Sequence, residues 1–209
     1  MAFDKLYIVN RMMIAIGQKT LSSLGKDAKS QRLANDIYDG IVQEVFELLA
    51  PKFATARAEL SQLGTPAFGY EYQYKKPDGC VRVLETVDED SKTVHYEYRS
   101  EVYSRVENSK MVHDDVILCD QEECFIKFIV LRTNPARWPA WFRKVVYLTG
   151  AVELVTPIEG DEYRALRLEK RLEKAIDDAR AANGAEDMDV DETGRDTDSG
   201  EPNIADGFM

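Results

Sequence analysis

Residues 4–18, DKLYIVNRMMIAIGQ, and 27–49, DAKSQRLANDIYDGIVQEVFELL, decide the fold. In the first, Asp4, Arg11 and Gln18 make a narrow polar stripe, while Leu6, Val9, Met13 and Ile16 form an apolar row that Ile8 and Met12 widen. A helix so apolar on most of its circumference belongs in an interior. In the second, Leu33, Ala34, Ile37, Tyr38, Ile41, Val42 and Val45 keep a helical period, with Asp36, Asp39, Gln43 and Glu47 on the opposite face. Asp27 is placed to cap its start, and Pro51 ends it. Between them Ser22, Ser23, Leu24 and Gly25 read as a turn, so residues 1–66 are expected to be a helical hairpin and its linker.

The character changes after Gly64-Thr65-Pro66. Phe68, Tyr70, Tyr72 and Tyr74 alternate with polar residues, as do Val94, Tyr96 and Tyr98, which is strand periodicity with an aromatic face. Pro77-Asp78-Gly79 is a turn, and 80–86, 102–106, 116–118 and 124–131 are further strand candidates. Residues 67–133 are therefore expected to be a small, mostly antiparallel β subdomain. Such tyrosine rows are more often the face of a small core than a binding site, although on a thin sheet their hydroxyls can be held at an interface. The span from Phe53 to Leu63 stays ambiguous: its ATARAEL, 54–60, favours helix by propensity but is short and lies between Pro51 and the Gly64-Thr65-Pro66 break.

Two helices follow in 134–184. Trp141, Val145, Leu148, Val152 and Val155 form one face, and Pro157 with Gly160 breaks the chain. The last helix has only a thin apolar seam, Ala165, Leu168, Leu172, Ala175 and Ala179. Arg164, Arg167, Arg171 and Lys174 make a basic row beside an acidic one of Glu162, Glu169, Glu173 and Asp177, and Asn183-Gly184 has the chemistry of a helix end. Such a helix is either solvated or packed between subunits, with charged flanks setting register. The fold class is thus α+β: a four-helix body, an inserted β subdomain, and an acidic C-terminal arm over 185–209.

With 209 residues, 44% hydrophobic and 31% charged, the chain has the bulk for one or two domains and a buried core. Its net charge of −11 is uneven: the arm holds nine acidic residues against Arg195 alone, a net −8, leaving the body near −3. Binding to nucleic acid by bulk electrostatics is disfavoured, and the acidic character belongs to the arm. The arm has the composition of disorder until it regains Ile204, Phe208 and Met209, which suits either a docking end on a solvated spacer or a frayed terminus.

Cys80, Cys119 and Cys124 are expected to be reduced thiols and not metal ligands. MAFDKLYIV carries an early acid and no cleavage signature, and 145–155 is too short to span a bilayer, so no leader and no membrane segment are expected. There is no phosphate-binding glycine loop and no nucleophile elbow, and no cofactor is expected. The only histidines are His95 and His113; His113 precedes Asp114-Asp115 in an expected loop with no evident nucleophile nearby.

These stretches, in this order, carry a resemblance. IVNRMMIAIGQKTLSSL, RLANDIYDGIVQEVFELLAPKFATARAEL, PAFGYEYQYKKPDGCVRVLETV, WPAWFRKVVYLTGAVELV and EYRALRLEKRLEKAIDDARAANGAED are similar to the tail tubular protein A, or head-to-tail adaptor (gatekeeper), family of short-tailed bacteriophages. The likeness covers roughly residues 6 to 187 and is weakest over 89–123. It rests on packing patterns, not on one diagnostic motif. Lys52 departs from it where a Trp is expected before the Phe-Ala pair, and Phe53 is expected to take that packing role.

The resemblance implies a structural, non-enzymatic subunit of a dodecameric ring in the virion. The ring would join the portal protein to the tail nozzle, with double-stranded genomic DNA passing through its bore without sequence-specific contact. Candidate subunit and portal contacts are then Tyr7, Arg11, Gln18, Asp36, Arg164, Arg167, Arg171, Lys174, Ile204, Phe208 and Met209. Candidate nozzle contacts are Tyr70, Tyr72, Tyr74, Tyr96 and Tyr98. The alternatives are a head-completion connector of a long-tailed phage and a small enzyme using His113 and Asp115.

Overall fold

A computed structural model describes residues 3–24, 29–66, 69–87, 93, 96–107 and 110–185. Four helices and two small antiparallel sheets make the α+β fold. Helix α1 (Lys5–Ala15) starts where the Asp4 carboxylate accepts from the Tyr7 amide at 2.8 Å. It ends in a left-handed Gly17 (φ 85°), which lets the Gln18 amide reach back to the Met13 carbonyl at 2.8 Å. Asn10 then holds the returning chain with both ends of its amide, donating to the Leu21 carbonyl at 3.1 Å and accepting from the Leu21 amide at 2.6 Å. Helix α2 (Lys29–Leu49) follows; Gly25 and the expected cap Asp27 lie outside the described residues.

The ambiguous ATARAEL is settled against helix. After a 3-10 turn at Lys52–Ala54, strand β1 (Thr55–Glu59) pairs along one edge with β7 (Phe125–Val130). Strand pairing thus begins at Thr55, inside the stretch read above as hairpin and linker, and β2 (Gln62–Gly64) continues it. The tyrosine-rich strand β3 is shorter than expected, Tyr72–Lys75, with Tyr70 ahead of it. Strand β4 is Cys80–Val87. The separate candidates near 96 and 102–106 are one strand, β5 (Tyr96–Glu107), and β6 runs Lys110–Cys119. His113 is therefore in a strand, opposite Ser104, and not in a loop. The sheets order as β1-β7-β4 and β2-β3-β6-β5.

Alternation along β7 makes the first sheet the middle layer. Ile126 and Phe128 point into a core with Leu60, Tyr74, Cys80, Ile117, Cys119 and Cys124. Ile129 points the other way, into the helical core. Helix α3 (Ala140–Glu159) is the centre of that second core, burying Phe142, Val145, Val146, Leu148, Gly150, Ala151, Leu154 and Val155 and packing on the other three helices. This is broader than the single face expected from Trp141, Val145, Leu148, Val152 and Val155; Trp141 and Val152 are only half-buried. Of the expected break at Pro157 and Gly160, only the glycine ends α3. Pro157 falls in the last turn, and the helix closes at left-handed Gly160 (φ 66°).

Helix α4 (Glu162–Ala185) likewise runs through Asn183 and Gly184. Asn183 instead terminates a different helix. Its side chain donates to the Leu49 carbonyl at 3.2 Å and accepts from the Lys52 amide at 2.9 Å, bracketing Ala50, a non-glycine residue in left-handed conformation (φ 42°). The strap holds the chain where α2 gives way to the sheets. Asn183→Ala is expected to cost ~1–3 kcal/mol, two hydrogen bonds of about 1 kcal/mol each with partial rescue by water. A urea midpoint unchanged in that variant would refute the strap.

Candidate assembly surfaces

The helical flank expected to meet other subunits is largely engaged within the chain. Tyr7 is half-buried against the helical core, with its ring edge-on to Phe3 at 5.1 Å. The Arg11 guanidinium lies over the Tyr147 ring, 5.1 Å from its centre, so α1 is tied to α3 by a cation–π contact. Gln18 donates to the Glu159 carboxylate. Asp36 is exposed on α2, one turn from Asp39, which pairs with Lys5 at 3.4 Å.

Arg164 is separated from the rest of its basic row by what it does. It donates to the Ile16 carbonyl at the end of α1 and pairs with Glu159 (3.7 Å) and Asp161 (3.8 Å). A cation on the last carbonyls of α1 also meets the negative end of that helix's dipole. The close approach requires Gly17, because a β-carbon there would collide with the guanidinium. Arg167, Arg171 and Lys174 are exposed, as are Tyr163 (82%) and Leu166 (55%) on the outer side of the same helix. Periodicity alone could not split the row, because Arg164 and Arg171 have the same pattern on the helix and differ only in lying beside the end of α1.

Tyr72, Tyr74 and Tyr96 face inward. Tyr72 and Tyr96 both sit opposite Cys119, and Tyr74 and Tyr98 opposite Ile117, so the rows flank β6. Tyr74 is 1% exposed and belongs to the smaller core, which corrects its assignment to a nozzle contact. Its hydroxyl lies 2.5 Å from the Gln121 carbonyl and 2.8 Å from that of Glu122, which pins the loop joining the two sheets. Burial raises its pKa well beyond the ordinary tyrosine range. Tyr72 and Tyr96 are half-buried against the same core, and Tyr70 is half-buried ahead of β3. The side chain of Tyr98, and Ile204, Phe208 and Met209, lie outside the described residues.

Cys119 and Cys124, buried at either end of that loop, form a thiol pair. The hydrogen bond between them lowers the pKa of Cys119 and raises that of Cys124. Among the described residues no cluster of three or more His, Cys, Asp and Glu is arranged to hold a metal, and no helix is long and apolar enough to cross a membrane. Asp115 pairs with Lys76 at 3.7 Å on the wall of a cleft of about 610 Å³ between α2 and the sheets, which Glu47, Arg82 and Tyr96 also line. Its opposed charges fit no single ligand class. The side chain of His113 is not among the described ones.

Glu153 on α3 has its pKa raised by partial burial and then by the neighbouring Glu44 carboxylate. A carboxyl whose folded pKa lies above its unfolded value favours folding below the unfolded pKa and loses that contribution as pH rises through the folded one. Glu153→Gln should therefore raise the thermal midpoint slightly at pH 7, the residue being open to solvent, and the gain should vanish near pH 4. A gain that grows in acid would contradict this assignment.

No protein-family model matches the chain, and no curated protein matches its sequence.

Proposed function

We propose that the protein is a structural head-to-tail adaptor of a short-tailed bacteriophage. In this reading it forms a ring, dodecameric as the family resemblance implies, between portal protein and tail nozzle, and it helps retain DNA that later leaves through its bore. The observation that carries the reading is the two-ended architecture. Helices from both ends of the chain share one core, and the sheets between them close a second core of their own. A joint between two different machines needs two such ends.

A ring closes through heterologous contacts, one face of a subunit meeting a different face of the next. The outer side of α4 supplies such a face, about 36 Å long at 1.5 Å per residue, with Tyr163 and Leu166 exposed on it. A body near −3 lets DNA pass, where a strongly basic bore would grip phosphates. In this reading the role is mechanical: no step of catalysis and no cofactor is assigned to it.

Mixed with a purified portal ring at micromolar concentration, the protein should co-sediment and appear as a closed ring in particle images. Failure to co-sediment would overturn the reading. A protein that instead completes a head bearing a long-tailed portal would support the head-completion alternative.

A further inference from the structure

Between the end of α1 and the start of α4 lies a cleft of about 440 Å³, lined by Ile14, Gly17, Arg164, Arg167 and Arg171 among others. Arg164 is consumed by the Ile16 carbonyl, Glu159 and Asp161. Among the described residues neither Arg167 nor Arg171 has an ion-pair partner. Lys170 and Lys174 continue the exposed basic face along α4. The same region shows three of the most exposed large apolar side chains: Ile14 (52%) at the cleft, and Leu166 (55%) and Tyr163 (82%) on α4. A face both cationic and apolar calls for a ligand both anionic and apolar.

The chain itself carries one. Residues 186–209 hold a net −8 and then Ile204, Phe208 and Met209. We propose that in the free subunit this C-terminal segment turns back in cis onto the Arg167–Arg171 face of α4, its carboxylates along the basic row and its apolar end toward Ile14.

Length permits it. The return from Ala185 to Arg167 is ~27 Å along the helix at 1.5 Å per residue. The stretch from Ala185 to Ile204 can span up to ~60 Å at about 3.3 Å per residue. Tethering selects cis over trans: a short flexible link gives an effective concentration on the order of millimolar, which exceeds that of a neighbour in a micromolar solution. The contact is electrostatic and partly solvated, so it is weak enough to displace and sensitive to salt. If the adaptor reading holds, the segment covers the α4 face until assembly competes it away, which keeps free subunits from closing without a portal. The docking itself does not depend on that reading.

Zero-length carbodiimide cross-linking of the full-length protein, alone and dilute, tests the proposal, because it joins only carboxylates and amines already in contact. Amide links should form from carboxylates of 186–206 to Lys170 and Lys174. They should fall several-fold in about 1 M NaCl, where the Debye length is ~3 Å, and in Arg167→Glu/Arg171→Glu. Should that variant misfold, neutralising Asp196 and Asp198 to Asn leaves the body untouched and should reduce the links made by the remaining carboxylates. In an equal mixture of nitrogen-15-labelled and unlabelled protein the links should join like isotopes only. Absence of the Lys170 and Lys174 links, or links spread evenly over all lysines, overturns the docking. Mixed-isotope links overturn the cis arrangement and assign the face to a neighbouring copy. No portal is present, so the outcome is independent of whether the portal binds.

Discussion

Phe142→Ala should lower the unfolding free energy by ~3–5 kcal/mol, the range for deleting a fully buried aromatic ring. Phe142 is wholly buried, and four rings surround it: Phe46 with centres 4.6 Å apart, Phe53 and Trp138 at 5.2 Å, and Trp141 at 5.8 Å. Most of these pairs are edge-to-face, a geometry that adds about 0.5–1.5 kcal/mol beyond the buried area. The cavity cannot collapse easily, because its walls come from α2, α3, the segment of Trp138 ahead of α3 and the 3-10 turn that leads into β1. A domain of this kind has on the order of 5–15 kcal/mol in total, so the variant would sit near the edge of folding. The cluster also ties the β region to the helices through Phe53, so amides of β1 should exchange faster in the variant. Phe142→Leu, which keeps most of the volume, should cost less than half as much. A urea midpoint for Phe142→Ala equal to that of the parent would refute this account.

Gly150→Val should be comparably damaging for the opposite reason. A β-carbon at Gly150 would stand 2.6 Å from both Sδ and Cε of Met12 and 3.2 Å from its Cγ. Met is adaptable, but Met12 is completely buried, so giving way means repacking it against its neighbours in the core. Replacing Gly in a helix by Val recovers only a few tenths of a kcal/mol of propensity. Overpacking costs ~1–3 kcal/mol or more, so the clash wins. The diagnostic is the double variant. Met12→Ala alone leaves a cavity, while Met12→Ala with Gly150→Val refills it, so the pair should lose clearly less than the two single losses added. Simple additivity would show that α1 and α3 do not meet as described.

Those two sites lie on α3, and α3 is where sequence and structure part most clearly. The N-terminal hairpin has the cleaner pattern and reads as the organiser. The structure gives that place to α3, since a helix apolar nearly all round shows little periodicity yet is the one that can touch three neighbours at once. Patterning made Ile8, Val9, Met12 and Ile41 legible as core, and the Tyr72–Tyr74 alternation legible as strand. It could not say which side of the strand the tyrosines took, because a tyrosine face serves an interface as readily as a core. Only the register against β6 and the two carbonyls that hold the Tyr74 hydroxyl decided it.

Local chemistry, then, determined the α+β class, the two N-terminal helices, the antiparallel pairing and the charge imbalance between body and arm, because hydrophobic period and net charge are carried by neighbours in the chain; that both helices pack on α3 more than on each other was not legible. Tertiary contact decided the rest. ATARAEL became a strand because β7 was there to pair with it, against its helical propensity. Asn183 became a strap for α2, not the end of its own helix, because Ala50 and Lys52 came within reach of its amide. Arg164 left its row to cap α1, while Arg167 and Arg171 stayed outside. Each of these depends on a partner remote in sequence, and the energy of a hydrogen bond or a packed ring is set by where that partner lies in space.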